Sequence, residues 1–282
     1  MGIIFYVFEY YFLDRKYYLG LTMNILICGK GGCGKSVVTT LLAKCFSEKN
    51  FKVLVIDADC SNLGLKLMLG INESKSTLLD SLGGRRNVVT KIAKGLEKHY
   101  LTGRYVFNSL GLIRLSTVLS SNGKITFLQL DKIMVGGEGC FCSAQVVLET
   151  FLANTSKHGK HIVLVDMGAG VEFLGRGLNK NLVDIVLAVV DPTWDSIELT
   201  VRTHRMLIEL GCTELYAILN KIHSVDVEDF LTVELKKHGV KVLGSIPYDP
   251  LIQISTMEGF PVKTNVAKRD IEKICEKIIE SF

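Results

Sequence analysis

The 282-residue sequence has only four prolines and one tryptophan, and no proline-rich or low-complexity stretch divides it. Its charges nearly balance, with 33 Lys and Arg against 29 Asp and Glu, so it lacks the strongly basic character of a dedicated nucleic-acid binder. We expect residues 1–13 not to act as a secretory leader, because this apolar stretch has no basic start and contains Glu9. That stretch is too short for a membrane span. The eight cysteines therefore do not indicate a disulfide framework. We expect a cytoplasmic protein with reduced thiols that binds neither nucleic acid nor membrane.

Residues 1–22 do not continue the pattern of the rest of the chain. Met23 directly precedes a strand-like apolar run, so we interpret 1–22 as an N-terminal extension that is a start-site artefact or disordered. The alternative is an interfacial membrane anchor, because Tyr and Phe favour membrane interfaces. From Met23 onward no linker interrupts the pattern, and we predict a single domain over 23–282.

Short apolar runs alternate with helical stretches from Met23 onward. Nearly continuous apolar character is typical of strands that are buried on both faces. Alternation with helices predicts an α/β fold of three layers, a mostly parallel sheet flanked by helices. The predicted strands are 25–28, 53–56, 162–165, 185–190, 215–219 and 242–246. The predicted helices are 35–48, 143–157, 195–210, 225–238 and 266–280, the third capped by Asp195. In the less regular region 72–135 we predict a short hairpin near 111–130.

The segment 29–36 has the spacing of a nucleotide-binding phosphate loop, with a strand before it and a helix after it. In such a loop, backbone N–H groups and the helix N-terminus surround a phosphate. Lys35 would neutralise the β- and γ-phosphates, and Ser36 would hold Mg²⁺. The alternative is a glycine-rich turn followed by a chance Lys-Ser pair. The predicted nucleotide-binding residues here are Gly29, Lys30, Gly31, Gly32, Cys33, Gly34, Lys35, Ser36 and Val37.

Two further segments place carboxylates at the ends of predicted parallel strands, where ligands bind in sheets of this kind. Asp59 would orient the attacking water and Asp57 would help to position the Mg²⁺ shell, or the two simply form a turn. Asp166 ends the strand 162–165 and would accept hydrogen bonds from water on Mg²⁺. We therefore predict a Mg²⁺ and nucleotide site at this edge of the sheet.

Lys30, directly after the first glycine, makes the phosphate loop resemble that of the MinD/ParA/nitrogenase-iron-protein superfamily, the ATPases with a deviant Walker A motif. The resemblance implies a P-loop ATPase that forms a nucleotide-dependent homodimer, in which Lys30 contacts the partner's nucleotide. It also implies that Asn220 reads the adenine and that a loop closes over the base. That loop comprises Pro247, Tyr248 and Asp249. Cys60 replaces the proline that usually follows the family's second aspartate.

Cys140 and Cys142 lie in a glycine-rich loop before a predicted helix. Thiolates at positions i and i+2 suit one soft metal ion such as Ni²⁺ or Zn²⁺, and a helix N-terminus lowers their pKa. Two thiolates do not complete a four-coordinate site, but a two-fold homodimer would supply four. The alternative is a pair of small buried apolar residues, a common role of free cysteine.

This cysteine pair, together with the Asp166-Met-Gly-Ala-Gly and Asp191-Pro-Thr-Trp segments, resembles the CO dehydrogenase maturation ATPases of the CooC type. The resemblance implies Ni²⁺ or Zn²⁺ at the dimer interface. It also implies a metallochaperone that delivers nickel to CO dehydrogenase or acetyl-CoA synthase. Gly168 departs from the pattern, because those proteins usually carry Glu there. Two alternatives share the nucleotide motifs: a MinD/ParA-type positioning ATPase, and an iron–sulfur reductase like nitrogenase iron protein.

Overall fold

The computed structural model describes residues 22–73, 75–96, 119–133, 142–153, 161–175, 179–211 and 215–281. For residues 22, 91–96 and 142 it describes the backbone and not the side chains. The predicted N-terminal extension lies outside these ranges apart from Thr22, which begins the first strand. Among the described residues, no helix is long and apolar enough to cross a membrane.

Eight strands of the described chain form one sheet. They are β1 (Thr22–Gly29), β2 (Lys52–Ala58), β3 (Leu119–Asn122), β4 (Ile125–Gln129), β5 (His161–Met167), β6 (Ile185–Val190), β7 (Leu215–Ile222) and β8 (Lys241–Pro247). Their order across the sheet is β3-β4-β2-β5-β1-β6-β7-β8. Neighbouring strands are parallel, except that β3 and β4 form an antiparallel hairpin. The predicted mostly parallel sheet is therefore confirmed.

Helices connect the parallel strands. They are α1 (Lys35–Glu48), α2 (Leu65–Met68), α3 (Leu78–Ser81), α4 (Gly84–Leu96), α5 (Cys142–Ala153), α6 (Trp194–Glu209), α7 (Val225–Lys237), α8 (Pro250–Met257) and α9 (Lys268–Glu280). A short 3-10 helix covers Lys180–Leu182. The five predicted helices correspond to α1, α5, α6, α7 and α9.

Helices cover both faces of the sheet, so the predicted three layers are confirmed. Alternate residues of β1 show the division: Ile25 and Ile27 pack on the side of α1 and α9, whereas Leu26 and Cys28 pack on the side of α5, α6 and α7. The alternation follows from the pleat of a strand, whose side chains point to opposite faces. Because both faces are buried, nearly every strand position must be apolar, and this is the pattern that the sequence displays.

Local features differ from the sequence prediction in two places, the start of α6 and four additional helices, whereas the predicted hairpin is confirmed. The helix predicted to start at a capping Asp195 is instead preceded by Thr193, and Asp195 lies within the first turn of α6. The hairpin expected near 111–130 is formed by β3 and β4. Four helices, α2, α3, α4 and α8, were not predicted; two of them are single turns whose placement depends on contacts with the rest of the fold.

The parallel strands all end at one edge of the sheet. At that edge β1 leads into the phosphate loop, and the ends of β2 and β5 carry Asp57 and Asp166. The ends of β7 and β8 carry Asn220 and Pro247. The carboxyl edge of a parallel sheet is where such folds bind ligands, and β1 lies between β5 and β6 there.

Candidate functional site

The phosphate loop connects β1 to α1 and depends on glycine at several positions. Gly29, Gly32 and Gly34 have φ values of 144°, 78° and 100°. A Cβ on Gly29 would lie 2.5 Å from the carbonyl oxygen of Val189, and one on Gly34 would lie 2.2 Å from Asn220 Nδ2. A Cβ on Gly32 would meet nothing within 4 Å. This open position leaves room for an anion close to the backbone.

Three side chains hold the carbonyl groups of this loop. Lys35 Nζ donates to the Lys30 carbonyl at 3.1 Å. Lys221 Nζ donates to the Gly32 carbonyl at 2.7 Å, and Asn220 Nδ2 donates to the Cys33 carbonyl at 2.8 Å. The shape of the loop is thus supported by β7 as well as by its own helix. Gly31 is exposed and Val37 is half-buried on α1.

Lys30 points away from its own phosphate loop. Its Nζ donates to Thr193 Oγ1 at 2.8 Å and lies 3.5 Å from Asp191 Oδ1. Thr193 Oγ1 in turn donates to Asp191 Oδ1 at 2.7 Å. The side chain of Lys30 is 27% exposed, so it stands at the rim of the site rather than inside it. This position leaves the lysine accessible to a molecule outside the chain.

The candidate magnesium site is a set of oxygen atoms around Ser36. Ser36 Oγ donates to Asp166 Oδ2 at 2.6 Å, and Asn62 Nδ2 donates to Ser36 Oγ at 2.6 Å. Thr39 Oγ1 makes a longer bond of 3.3 Å to Asp166 Oδ1. Mg²⁺ takes oxygen ligands and keeps several waters, so a hydroxyl and a nearby carboxylate suit it. These residues fit the Mg²⁺ that the phosphate-loop motif implies.

Asp166 is fully buried, and burial raises its pKa to about 7, although the hydrogen bond from Ser36 opposes the rise. Such a buried carboxyl group needs a counter-charge to ionise. Mg²⁺ would supply that charge, and it would be held through the Ser36 hydroxyl and through water on Asp166. The buried environment of Asp166 differs from that of a solvated carboxylate and would suit a bound cation.

The two aspartates at the carboxyl end of β2, Asp57 within the strand and Asp59 just after it, have different surroundings. Asp57 is buried and forms an ion pair with Lys132, whose Nζ lies 2.8 Å from Asp57 Oδ2. Burial raises the pKa of Asp57 to about 6, and Lys132 opposes the rise. Asp59 is half-buried, and its Oδ1 accepts hydrogen bonds from the backbone N–H and the hydroxyl of Ser61. The structure thus places Asp59 in an Asx-type turn at the edge of the site.

Lys132 was not found by sequence reasoning. It lies just after β4, where no nucleotide motif requires a lysine. The only signal in the sequence was that Lys132 follows the predicted hairpin, whose last strand could end at this edge of the sheet.

The predicted base-binding residues lie where β7 and β8 end. Asn220 is buried against the phosphate loop, and Pro247 ends β8. The rings of Tyr248 and His223 lie with their centroids 4.7 Å apart, tilted by 31°. Asp249 caps α8 by accepting the backbone N–H of Leu251 at 2.8 Å. It also accepts the hydroxyl of Thr264 at 2.6 Å. The structure therefore gives Asp249 a capping role in addition to any contact with the base.

The predicted soft-metal site is only partly within the described chain. Cys140 lies outside the described residues, and Cys142 is the first residue of α5, its side chain excepted. Over the ranges that the structure describes, no group of three or more His, Cys, Asp or Glu side chains could hold a metal ion. The position of Cys142 agrees with the expectation that this loop ends at a helix N-terminus.

Sequence comparison relates the chain to known nucleotide-binding proteins. A family model for the CobQ/CobB/MinD/ParA nucleotide binding domain matches residues 25–138. An uncharacterized ATP-binding protein of Methanocaldococcus jannaschii is 35% identical over 259 residues, which are 90% of this chain and all of that protein. The carbon monoxide dehydrogenase accessory protein CooC of Rhodospirillum rubrum is 30% identical over 241 residues, covering 84% of this chain and 88% of CooC.

Structure comparison gives the same fold. The septum site-determining protein MinD of Pyrococcus horikoshii, complexed with Mg-ADP, superposes with a TM-score of 0.66 at 20% sequence identity. The match covers 92% of this chain and 96% of that one. At this identity the likeness establishes the arrangement of strands and helices, which agrees with the P-loop fold predicted from the sequence.

Proposed function

Because this chain belongs to the CobQ/CobB/MinD/ParA family and is an ATPase of that family, we propose that it couples ATP hydrolysis to the delivery of nickel. The recipient would be CO dehydrogenase or acetyl-CoA synthase during maturation. The observation that carries the proposal is the Cys140-Phe-Cys142 pair in a chain that is 30% identical to a carbon monoxide dehydrogenase accessory protein over most of its length.

The hydrolytic step needs positioning and charge neutralisation more than covalent chemistry. Water attacks the γ-phosphorus, the bond from that phosphorus to the bridging oxygen of ADP breaks, and ADP and phosphate are released. The phosphate-loop N–H groups and Lys35 would bind the phosphates, and Asp59 would orient the water. Mg²⁺, when bound, neutralises charge on the phosphate oxygens, and Ser36 and Asp166 would hold it.

A homodimer would complete two sites that one chain leaves incomplete, the nucleotide site and the thiolate site. Lys30 stands at the rim of its own site, bonded to Thr193 rather than to the phosphate loop. This position supports the proposal that it neutralises charge on the partner's nucleotide. The same two-fold arrangement would give four thiolates, Cys140 and Cys142 from each subunit, which is the number that a closed tetrahedral site requires. ATP binding would assemble the site, and hydrolysis would open it.

The thiolate site is supported by its place in the chain. Cys142 is the first residue of α5, and a helix N-terminus stabilises a negative charge. The thiols would therefore ionise more readily than an ordinary cysteine and bind Ni²⁺ or Zn²⁺, which displaces their protons. The metal is the cargo in this proposal, and its release to the client enzyme is the outcome of each cycle.

The test is metal analysis of protein purified anaerobically, exposed to nickel and held in the ATP-bound state. We expect about one Ni²⁺ or Zn²⁺ for two chains, because a four-coordinate site shared by two subunits needs all four thiolates. A double variant, Cys140→Ser with Cys142→Ser, should lose the metal and keep ATP binding. Lys35→Ala is the matched control, since it should lose ATP binding while both cysteines remain.

The other functions give different results in the same experiments. Abundant iron with a brown chromophore would indicate the iron–sulfur reductase. ATP-dependent pelleting with liposomes or DNA would indicate a positioning ATPase. Unchanged metal affinity in the double cysteine variant would contradict nickel binding by this pair. Activation of the nickel-free client enzyme by loaded protein and ATP would support delivery directly.

A further inference from the structure

Lys132 is a buried cation that the nucleotide motifs do not account for. Only 4% of its side chain is exposed. Its Nζ donates to Asp57 Oδ2 at 2.8 Å and to the backbone carbonyls of Asp59 and Asn62. An ammonium group has three donors, and a buried charge is costly unless it is paired and hydrogen-bonded. Asp57 is near the end of β2, and Asp59 and Asn62 lie on the loop that follows it, so this one side chain connects the strand end to the loop.

The segment that carries Lys132 is itself anchored. Ile133 N–H donates to the carbonyl of Cys60 at 3.2 Å, so the segment continues beside the loop after β4 ends. Arg85 Nε on α4 donates to Asp131 Oδ2 at 2.6 Å, and both side chains are largely buried. Because its neighbours are held by the helix and by the loop backbone, Lys132 acts from a fixed position.

The loop that Lys132 holds reaches the candidate magnesium site. The carbonyl of Asn62 accepts from Lys132, and the side-chain nitrogen of Asn62 donates to Ser36 Oγ at 2.6 Å. Ser36 Oγ in turn donates to Asp166. A continuous series of hydrogen bonds therefore leads from the buried ammonium group to the hydroxyl that would hold Mg²⁺.

We propose that Lys132 is a positioning residue for ATP hydrolysis. Through the carbonyls of Asp59 and Asn62 it holds the 59–62 loop so that Asn62 reaches Ser36 and Asp59 stays at the carboxyl edge of the sheet. Its ion pair with Asp57 holds the ammonium group in place. The inference rests on the ATPase activity of the chain and does not depend on nickel delivery, so it is tested without nickel.

The first experiment compares Lys132→Met with Lys124→Met. Lys124 is an exposed lysine in the turn between β3 and β4, and it donates only to Asn50 among the described contacts. We expect Lys132→Met to lower kcat by about 10-fold or more, because displacement of catalytic groups by about 1 Å has effects of up to about 100-fold. It should also raise the Mg²⁺ concentration at half-maximal activity. Lys124→Met should match the parent protein in both quantities.

A double-mutant cycle distinguishes two reasons why Lys132→Met could lose activity: the protein is less stable, or the loop is no longer positioned. Lys132→Met alone leaves Asp57 buried without its counter-charge, and such a change is destabilising. Asp57→Asn removes the carboxylate charge, so the double variant should recover most of the lost melting temperature. In that background Lys132→Met should still lower kcat, because the carbonyls of Asp59 and Asn62 have lost their donor.

Two results would overturn the proposal. One is a kcat and Mg²⁺ dependence of Lys132→Met equal to those of Lys124→Met. The other is that Lys132→Met causes no further decrease of kcat in the Asp57→Asn background. That result would mean that the lysine serves only as the counter-charge of Asp57. Hydrogen exchange provides the structural readout: the amide of Ser61 should exchange faster in Lys132→Met than in Lys124→Met if the loop is released.

Discussion

Replacing Gly34 by alanine should destabilise the protein by more than the addition of one methyl group suggests. Gly34 has φ of +100°, a left-handed conformation that costs a residue with a Cβ about 1–2 kcal/mol. The new Cβ would lie 2.2 Å from Asn220 Nδ2, so Asn220 must move. Its hydrogen bond to the Cys33 carbonyl, 2.8 Å long, would then break. Both groups are buried, and an unsatisfied buried polar group costs about 1–3 kcal/mol. Together these effects should lower the free energy of unfolding by about 2–5 kcal/mol.

The assay is equilibrium unfolding in urea, with Gly123→Ala as the matched control. Gly123 lies in the turn between β3 and β4 with φ of +61°, and a Cβ there would meet nothing within 4 Å. Its substitution therefore introduces the backbone strain without the collision. Gly34→Ala should be less stable than Gly123→Ala by about 1–3 kcal/mol, the contribution of the broken hydrogen bond. Gly34→Ala should also weaken ATP binding, whereas Gly123→Ala should not.

A second substitution identifies the cause of the destabilisation. Asn220→Ala removes the side chain that the new methyl group would meet. The double variant Gly34→Ala with Asn220→Ala should be at least as stable as Gly34→Ala alone, because the hydrogen bond is already lost there. If the destabilisations of the two single variants instead add within about 0.5 kcal/mol, the sites are independent and the collision is not the cause.

Two more outcomes are expected. Lys30→Ala should keep ATP binding but lower the rate of ATP hydrolysis by about 10³-fold, which is the effect of removing a cation supplied by a partner subunit. A hydrolysis rate equal to that of the parent protein would contradict the proposed action of Lys30 on the partner's nucleotide. Asp249→Ala should lower stability at pH 7 by about 1 kcal/mol through loss of the α8 cap. Burial tends to raise the pKa of Asp249, but hydrogen bonds from Thr264 and backbone N–H groups outweigh it and hold the pKa below its ordinary value. The ionised Asp249 carboxylate therefore stabilises the folded protein at pH values above its ordinary pKa, and this stabilisation is lost as the pH falls through the lowered pKa. The stability difference between parent and Asp249→Ala should narrow in acid, and a constant difference in unfolding experiments would exclude an ionised cap.

The sequence predicted the elements whose character is local. The six predicted strands are mainly apolar runs, because burial on both faces of a sheet favours apolar side chains. All six are found within longer observed strands or coincide with them. The phosphate loop could be recognised because its glycines have backbone or spatial requirements that few other residues meet. Single-turn helices such as α2 and α3 carry no such signal, since tertiary contacts rather than helical periodicity stabilise them.

In the candidate site, too, motifs predicted some residues, whereas other contacts are visible only in the structure. Ser36 and Asp166 are 130 residues apart, and their motifs predicted that both would serve Mg²⁺; the structure brings them within 2.6 Å. Asn220 was predicted to read the base, and what the structure shows is its side chain donating to the Cys33 carbonyl of the phosphate loop. Cys45 and Cys275 have no paired spacing, yet both are buried in the same core cluster where α1 packs against α9.

The sequence by itself thus determined the fold class, the phosphate loop and the order of the carboxylate motifs, because these depend on local periodicity and on residues with few substitutes. Only the tertiary structure decided which side chains support them. Lys132 has no motif, and its importance arises because β4 pairs with β2 and so brings residues 70 to 75 positions apart into one hydrogen-bonded cluster. Lys30 likewise contacts Thr193 only because β6 lies beside β1. Contacts of this kind follow from strand order, and strand order is a property of the whole chain.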